Sequence, residues 1–286
     1  MLQLILTVGI SNSGKTTWAE EKARDKSWIN ANLDDFRRVL SPNLLNYKYN
    51  EKNELIVSNM QIELAEQSTK LNKNIIISDT NLNENRRNFW KNFAVLNDME
   101  YSEKVFDTDL KTCVERNLKR AYSIPQQAII DQSKKMRAYL GKPVYTRNTE
   151  GPNAIICDID GTIAKMNRDT RSPYEWDKVA EDEPIDSIIR LIRKYSDHVI
   201  FLMSGRDESC RVQTESWLLH HDVPYDMLLM RPAGNNDSDV EVKEKLFWDN
   251  NVHQSDIEFV LDDRDSVVWM WRELGLKVLQ VEPGGF

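Results

Sequence analysis

The sequence predicts an α/β protein of two domains, each built on a mainly parallel sheet flanked by helices. Short, apolar, β-branched runs recur along all 286 residues, and amphipathic stretches separate them. Runs that are apolar on consecutive positions read as central strands buried on both faces, and their alternation with helices implies parallel sheets in both halves. A polar, turn-forming stretch, Thr146-Arg-Asn-Thr-Glu-Gly-Pro-Asn153, precedes a fresh apolar run and marks a boundary. The expected domains are residues 1–148 and 152–286, in keeping with about 150 residues per domain.

In the first half the expected strands are Leu2–Val8, a piece ending at Trp28–Ile29, Ile75–Ser78 and Val105–Phe106, with helix-like segments at Thr17–Asp25 and Thr112–Ala121. In the second half they are Ala154–Cys157, Val199–Met203, Phe259–Leu261 and Lys277–Val281. A helix is expected over Pro184–Tyr195, where Ile185, Ile188, Ile189 and Ile192 fall at helical spacing behind a proline.

Composition narrows the class. Hydrophobic residues at 40% and charged residues at 29% are ordinary for a cored protein and argue against disorder. No run approaches the roughly 18 apolar residues of a membrane span. The start of the chain lacks a basic leader and a small-residue cleavage site, so no secretory signal is expected. Cys113, Cys157 and Cys210 are scattered and odd in number, which suits a reducing cytoplasm and three small buried hydrophobes. The net charge of −8 divides into +4 for residues 1–150 and −12 for the remainder. A mildly basic half suits phosphorylated substrates; an acidic half suits either a carboxylate-rich cation site or a solvated surface.

Gly9-Ile-Ser11-Asn12-Ser13-Gly14-Lys15-Thr16, followed by Thr17, matches G-x-x-x-x-G-K-[ST] between an apolar strand and a helix-like segment. Backbone amides of such a loop wrap a polyphosphate at a helix N-terminus, with Lys15 on the β/γ-phosphates and Thr16 on Mg²⁺. The strand–helix context weighs against a chance Gly/Ser turn, so this half is expected to bind a nucleoside triphosphate. Asn32-Leu-Asp34-Asp35-Phe-Arg37-Arg38 and Ser78-Asp79-Thr80-Asn81 follow strands, where ligands of parallel sheets sit. A carboxylate there can take a proton from an attacking hydroxyl and an arginine can hold a phosphate, although Asp34–Arg38 reads equally as an N-capped helix. Arg116 and Arg120, four apart, are expected on one helix face, as lid arginines or as a basic stripe.

Ile155-Ile-Cys-Asp158-Ile-Asp160-Gly-Thr162 sets two carboxylates two apart at a strand end. Extended chain points both to one side, and crowding lets one stay ionised while the other keeps a proton. Alone, this reads also as a calcium-loop fragment or a turn. Ser204-Gly-Arg206, Lys243 and Asp262-Asp263 follow in order after further strands, which favours a catalytic set that binds a cation.

D-x-D-G-T, then S-G-R, a lysine and D-D resembles the haloacid-dehalogenase (HAD) superfamily of aspartyl-phosphate phosphatases, and the upstream half resembles P-loop 5′-kinases. Together with Ser78-Asp-Thr-Asn-Leu-Asn83, Met136-Arg-Ala-Tyr-Leu-Gly-Lys-Pro-Val-Tyr145 and Asp160-Gly-Thr-Ile-Ala-Lys-Met-Asn167, the order of domains resembles the bacteriophage family of polynucleotide 5′-kinase/3′-phosphatases over nearly the whole chain. The resemblance implies a P-loop kinase fold followed by a HAD-like Rossmannoid fold, with ATP as phosphate donor and Mg²⁺ as cofactor. It implies that Asp34 is the general base toward the 5′-hydroxyl, Arg37 grips the neighbouring phosphate, Asp79 is a further functional carboxylate, and Arg116 and Arg120 close over the triphosphate. It implies that Asp158 is the nucleophile and Asp160 the proton donor. Thr162, Ser204, Arg206 and Lys243 would then hold phosphate, supported by Arg231 and Asp239, and Asp158, Asp160, Asp262 and Asp263 would form the metal site. The longer segment Arg168-Asp-Thr-Arg171-Ser172 leaves either Arg168 or Arg171 as a phosphatase-site arginine, the following Ser-Pro-Tyr favouring Arg171. The family's substrates are 5′-hydroxyl and 3′-phosphate or 2′,3′-cyclic ends of RNA or DNA, its partner is an RNA ligase, and its assembly is a homotetramer in the cytoplasm, that of the host cell for a phage protein. A kinase/phosphatase of small metabolites, or a nucleotide-gated binding module, is the competing reading.

Overall fold

Strand β1 (Leu2–Gly9) is interior because its neighbours bury both of its faces. Leu4 and Leu6 pack with Ile75 and Ile77 on one side, while Ile5 turns with Ile76 to the other. With β2 (Trp28–Ala31), β3 (Asn74–Ile77) and β4 (Met99–Phe106) it forms a parallel sheet in the order β2-β3-β1-β4. Helices α1 (Lys15–Lys22), α2 (Leu33–Leu40), α3 (Glu51–Lys70), α4 (Glu84–Leu96), α5 (Leu110–Leu118) and α6 (Gln126–Tyr139) complete this unit. Trp90, Phe93 and Ala94 of α4 and Ala65 of α3 cover one face; Ala19 of α1 packs on Trp28 and Ile76. Asparagine side chains cap α2, α3 and α4, Asn32, Asn50 and Asn83 each accepting a first-turn amide.

The computed structural model describes residues 1–166, 172 and 175–284, and it divides into two compact units, Met1–Lys142 and Pro143–Phe286. Tyr145 belongs with the second: its hydroxyl donates to the Ser255 carbonyl at 3.0 Å and accepts the Ile257 amide at 2.9 Å.

The second unit holds β5 (Asn153–Cys157), β6 (Ala164–Lys165), β7 (Glu183–Pro184), β8 (Val199–Asp207), β9 (Met227–Arg231), β10 (Asp256–Arg264) and β11 (Val278–Gly284). Its helices are α7 (Asp186–Ile192), α8 (Arg211–His220), α9 (Asp239–Asp249) and α10 (Asp265–Leu274). Five strands form a parallel sheet in the order β11-β10-β5-β8-β9, and β6 pairs with β7 antiparallel. Ile189, Ile192, Trp217 and Leu218 of α7 and α8 cover one face; Phe247, Met270, Trp271 and Leu274 of α9 and α10 cover the other. Register shifts at Ser204/Asp207 and Asp262/Arg264 bend β8 and β10 where their polar residues begin.

Several local expectations are corrected. Pro184 pairs with Ala164 in β7, so the helix starts at Asp186 rather than at the proline. The first helix begins at Lys15, directly off Gly14, and ends at Lys22. The helix expected to carry both Arg116 and Arg120 ends at Leu118; Asn117 bonds the Ile124 amide and carbonyl and turns the chain away, so the two arginines share no helix face. Strand β9 went unread because Met227-Leu-Leu-Met-Arg231 has no β-branched residue.

Two candidate active sites

The phosphate loop is built from left-handed turns. Asn12 and Gly14 take φ of 68° and 100°, the conformation in which successive amides converge on an anion. At Gly9 a Cβ would stand 2.8 Å from the Phe106 carbonyl and 2.9 Å from Ser13 Oγ, so a side chain does not fit. Lys15 is buried, and its Nζ donates to the Ile10 carbonyl at 2.6 Å and to Ser13 Oγ at 3.3 Å. Burial pushes its pKa down to about 8, against the pull of Asp79 and Asp34. Thr16 and Thr17 are exposed at the start of α1. Ser11 donates its amide to Gln132 Oε1 at 2.7 Å. A cleft of about 580 Å³ opens here, lined by residues 12–18, Glu21, Thr108, Arg116 and Arg120.

The two arginines converge on this loop by different routes. Arg116 Nη1 donates to the Asn12 carbonyl at 3.1 Å from α5, and Arg120 Nη1 donates to Asn12 Oδ1 at 2.8 Å from the turn beyond it. On the opposite side, α2 presents Asp34 and Arg37, joined at 2.8 Å. Glu54 of α3 clasps Arg37 at 3.1 and 2.6 Å and takes the Tyr47 hydroxyl at 2.9 Å. Burial works to discharge Arg37, but Glu54 and Asp34 outweigh it and raise its pKa. Asp79 holds the start of α2: its Oδ1 accepts the Leu33 amide at 2.9 Å and its Oδ2 accepts Gln61 Nε2 at 2.7 Å. Burial raises its pKa. Asp79 thus supports the helix that presents Asp34.

In the second unit Asp158 follows β5, and its amide donates to the Leu261 carbonyl at 2.9 Å. Lys243, from α9, places Nζ 2.7 Å from Asp158 Oδ1 and 2.8 Å from Asp262 Oδ2, all three side chains being buried. One carboxylate oxygen from each of Asp158, Asp262 and Asp263 lies within 4.8 Å of the others. Burial, reinforced by Asp262, Asp263 and Asp160 against Lys243, raises the Asp158 pKa to about 8. Burial and Asp262 raise Asp263 to about 6. Trp271 Nε1 donates to Asp262 at 3.2 Å and Thr162 Oγ1 to Asp158 at 3.5 Å. This hard-oxygen set, already answered by one ammonium, suits a divalent cation.

Among the described residues that carboxylate group holds Asp158, Asp262 and Asp263 and not Asp160. β5 ends at Cys157, so the alternation of an extended strand does not carry through to residue 160. Arg206 instead grips both Asp160 oxygens, with Nε at 3.0 and 2.9 Å and Nη2 at 2.8 Å from Oδ1, and Ser204 Oγ stands 3.4 Å from Oδ2. Arg206 is wholly buried, and the same Nη2 also donates to the equally buried Asp182 at 2.6 Å. Asp239, at the start of α9, is paired with Arg231 and Arg264, and Arg231 Nε donates to the Gly205 carbonyl at 2.8 Å. These pairs fasten the ends of β8, β9 and β10 together. Arg168 and Arg171 lie outside the described residues.

Sequence reasoning missed Glu54, Tyr122, Asp182 and Arg264. Glu54, Asp182 and Arg264 meet partners remote in sequence, Tyr122 joins the nearby Arg120 to the remote Arg38, and Asp182, within Glu181-Asp-Glu183, reads as solvated acid.

Comparison with known proteins follows the same division. Residues 4–143 match the family described as "AAA domain", and residues 152–286 match "Polynucleotide kinase PNKP phosphatase domain". The chain is 32% identical over 290 residues to the "Putative bifunctional polynucleotide kinase/RNA ligase" of Autographa californica nuclear polyhedrosis virus, covering 95% of this chain and 41% of that protein. It thus spans about two fifths of that relative's length. It is 23% identical over 205 residues to the "L-seryl-tRNA(Sec) kinase" of Methanococcus maripaludis, covering 69% of this chain and 78% of that protein. Among solved structures, a chain of "Structure of Pnkp1/Rnl/Hen1 complex" is 29% identical with a TM-score of 0.48, covering 100% of this chain and 98% of that one. Residues 4–143 thus belong to the AAA-domain family and residues 152–286 to the PNKP phosphatase-domain family, in that order along one chain.

Proposed function

We propose that the chain phosphorylates 5′-hydroxyl ends of polynucleotides with ATP and removes 3′-phosphates and 2′,3′-cyclic phosphates, healing RNA ends for an RNA ligase. The observation that carries this reading is the Asp158–Lys243–Asp262–Asp263 group at the ends of parallel strands, in a domain of the PNKP phosphatase family joined to a phosphate-loop domain. The name of the baculovirus relative, which couples polynucleotide kinase to RNA ligase, supports the substrate class and the partner.

In the first domain Asp34 takes the proton of the 5′-hydroxyl while that oxygen attacks the γ-phosphorus, and the β–γ bridging bond breaks to leave ADP. Lys15, Arg116 and Arg120 hold the phosphates, Arg37 holds the acceptor's neighbouring phosphate, and Asp79 fixes the helix that carries Asp34. In the second domain a carboxylate oxygen of Asp158 attacks the 3′-phosphorus, and the ester P–O bond breaks as Asp160 gives its proton to the leaving ribose oxygen. Asp160 then takes a proton from water, which attacks the aspartyl-phosphate and releases inorganic phosphate. Thr162, Ser204 and Lys243 surround the phosphate, while Arg206, set by Asp182, aims Asp160. Asp158, Asp262 and Asp263 would hold a divalent cation, with Thr16 serving the triphosphate's cation, and such a cation supplies charge neutralisation at the phosphoryl oxygens.

A homotetramer, the assembly the resemblance implies, is tested by light scattering. The buried thiols of Cys113, Cys157 and Cys210 suit a cytoplasmic setting, and among the described residues no helix is long and apolar enough to cross a membrane. The deciding experiment uses one oligonucleotide with a 5′-hydroxyl and a 3′-phosphate, set against free nucleosides and sugars. Gain of 5′-label and loss of 3′-phosphate from the oligonucleotide is the expected result. Turnover of the small molecules alone would transfer the activity to metabolites, and no ATP turnover would leave a binding module.

A further inference from the structure

We propose that Tyr122 is a positioning residue for phosphoryl transfer, fastening the donor-side Arg120 to the acceptor helix; the inference rests on the kinase reading above. Tyr122 sits in the turn beyond α5, two residues after Arg120. Its hydroxyl accepts from Arg120 Nη2 at 3.2 Å and from Arg38 Nη2 at 3.1 Å. The Arg120 guanidinium carbon lies 4.8 Å from the centre of its ring. The ring packs against the apolar cluster of Leu33, Leu44, Tyr47 and Val57 on the acceptor side. Tyr122 is therefore chained to the donor arginine but seated in the acceptor lobe.

Two guanidiniums on one oxygen repel, and two facts offset this. A phenol oxygen has two lone pairs, one for each donor, and Asp35 balances Arg38 at 2.6 Å. Arg120 uses its other amino group on Asn12. A continuous line thus runs from the phosphate loop through Arg120, Tyr122 and Arg38 to α2, the helix that presents Asp34 and Arg37. In-line transfer depends on the distance between acceptor hydroxyl and γ-phosphorus, and this line sets the separation of the two sides. The bridging group is neutral for a reason. A carboxylate at the same place would bind both arginines more strongly but would cancel the charge that Arg120 owes to the transferring phosphoryl oxygens. A phenol orients that charge and leaves it whole.

The test measures steady-state labelling of a 5′-hydroxyl oligonucleotide by the intact chain with Mg²⁺-ATP, for Tyr122→Phe, Arg38→Ala and the pair together. Phenylalanine keeps the ring and its packing and removes only the hydroxyl. Tyr122→Phe should lower kcat about ten-fold, the scale of one hydrogen bond to a charged group, with KM for ATP within about two-fold. The 3′-phosphatase of the same preparation should be unchanged. The double variant should be no slower than the slower single, because both substitutions cut one line. Wild-type kcat in Tyr122→Phe, losses that multiply in the double variant, or an equal fall in phosphatase activity would overturn the inference. If the wild-type chain itself labels no polynucleotide, the kinase reading fails, a result visible before any substitution is made.

Discussion

Lys243 meets Asp158 at 2.7 Å with both side chains buried, and the same ammonium reaches Asp262 at 2.8 Å. One positive charge therefore answers three carboxylates. Lys243→Met should leave like charges buried together and weaken the fold in chelator by about 3–5 kcal/mol. Phosphatase activity should vanish and 5′-labelling persist. Mg²⁺ should raise the Tm of the variant more than that of wild type, since the cation takes over neutralisation; thermal melts with and without Mg²⁺ check this, and equal shifts would contradict it.

Lys15 gives a proton-linked signature. Its pKa of about 8 lies below the ordinary 10.5, so the unfolded chain holds more protons between those values and stability should rise with pH across that window. A bound triphosphate favours the charged amine. ATP binding near pH 8 should therefore take up protons, and the uptake should shrink toward pH 7, where the lysine is already charged. Calorimetry in buffers of different ionisation enthalpy reads the effect directly; proton release at pH 8 would refute it.

The two activities should separate cleanly. Each unit carries its own phosphate-binding and acid–base groups, so Lys15→Ala should abolish 5′-labelling and spare 3′-phosphate removal, and Asp158→Asn should do the reverse. Parallel loss of both in a folded variant would mean one shared site. Trapping with beryllium fluoride should place the adduct on Asp158.

Gly161 has φ of 81°, and a Cβ there would fall 2.0 Å from Asp263 Oδ2. Gly161→Ala should cost about 1–2 kcal/mol in backbone strain and push Asp263 out of the cation group, lowering phosphatase activity. Gly234 has φ of 72° but nothing within 4 Å of its Cβ position. Gly234→Ala should thus show the strain without the loss of activity. Equal phosphatase rates in the two variants would detach Asp263 from the site.

Motif residues were legible in the sequence because their spacing is itself the geometry. Gly9 to Thr16 run from the end of β1 to the start of α1, and Asp158, Ser204 and Asp262 each stand at a strand end that an apolar run announces. Positions fixed by remote partners were not legible. Arg120 meets Asn12 only because Asn117 ends α5 early and turns the chain, and Asp182 is a buried counter-ion only because Arg206 from another strand reaches it. The Asp158–Asp160 pair is legible as a pair, Asp160 adding to the charge that raises the Asp158 pKa, although β5 has already ended at Cys157.

The β6–β7 pair has an evolutionary corollary. Ala164 faces Pro184 and Lys165 faces Glu183, while the Ile185 amide donates to the Ile163 carbonyl at 2.8 Å. The clasp therefore anchors Asp182, one residue before β7, beside the loop that carries Asp158 and Asp160. Change in the span before the clasp is thus constrained at its end, because Asp182 must keep meeting the arginine that holds Asp160.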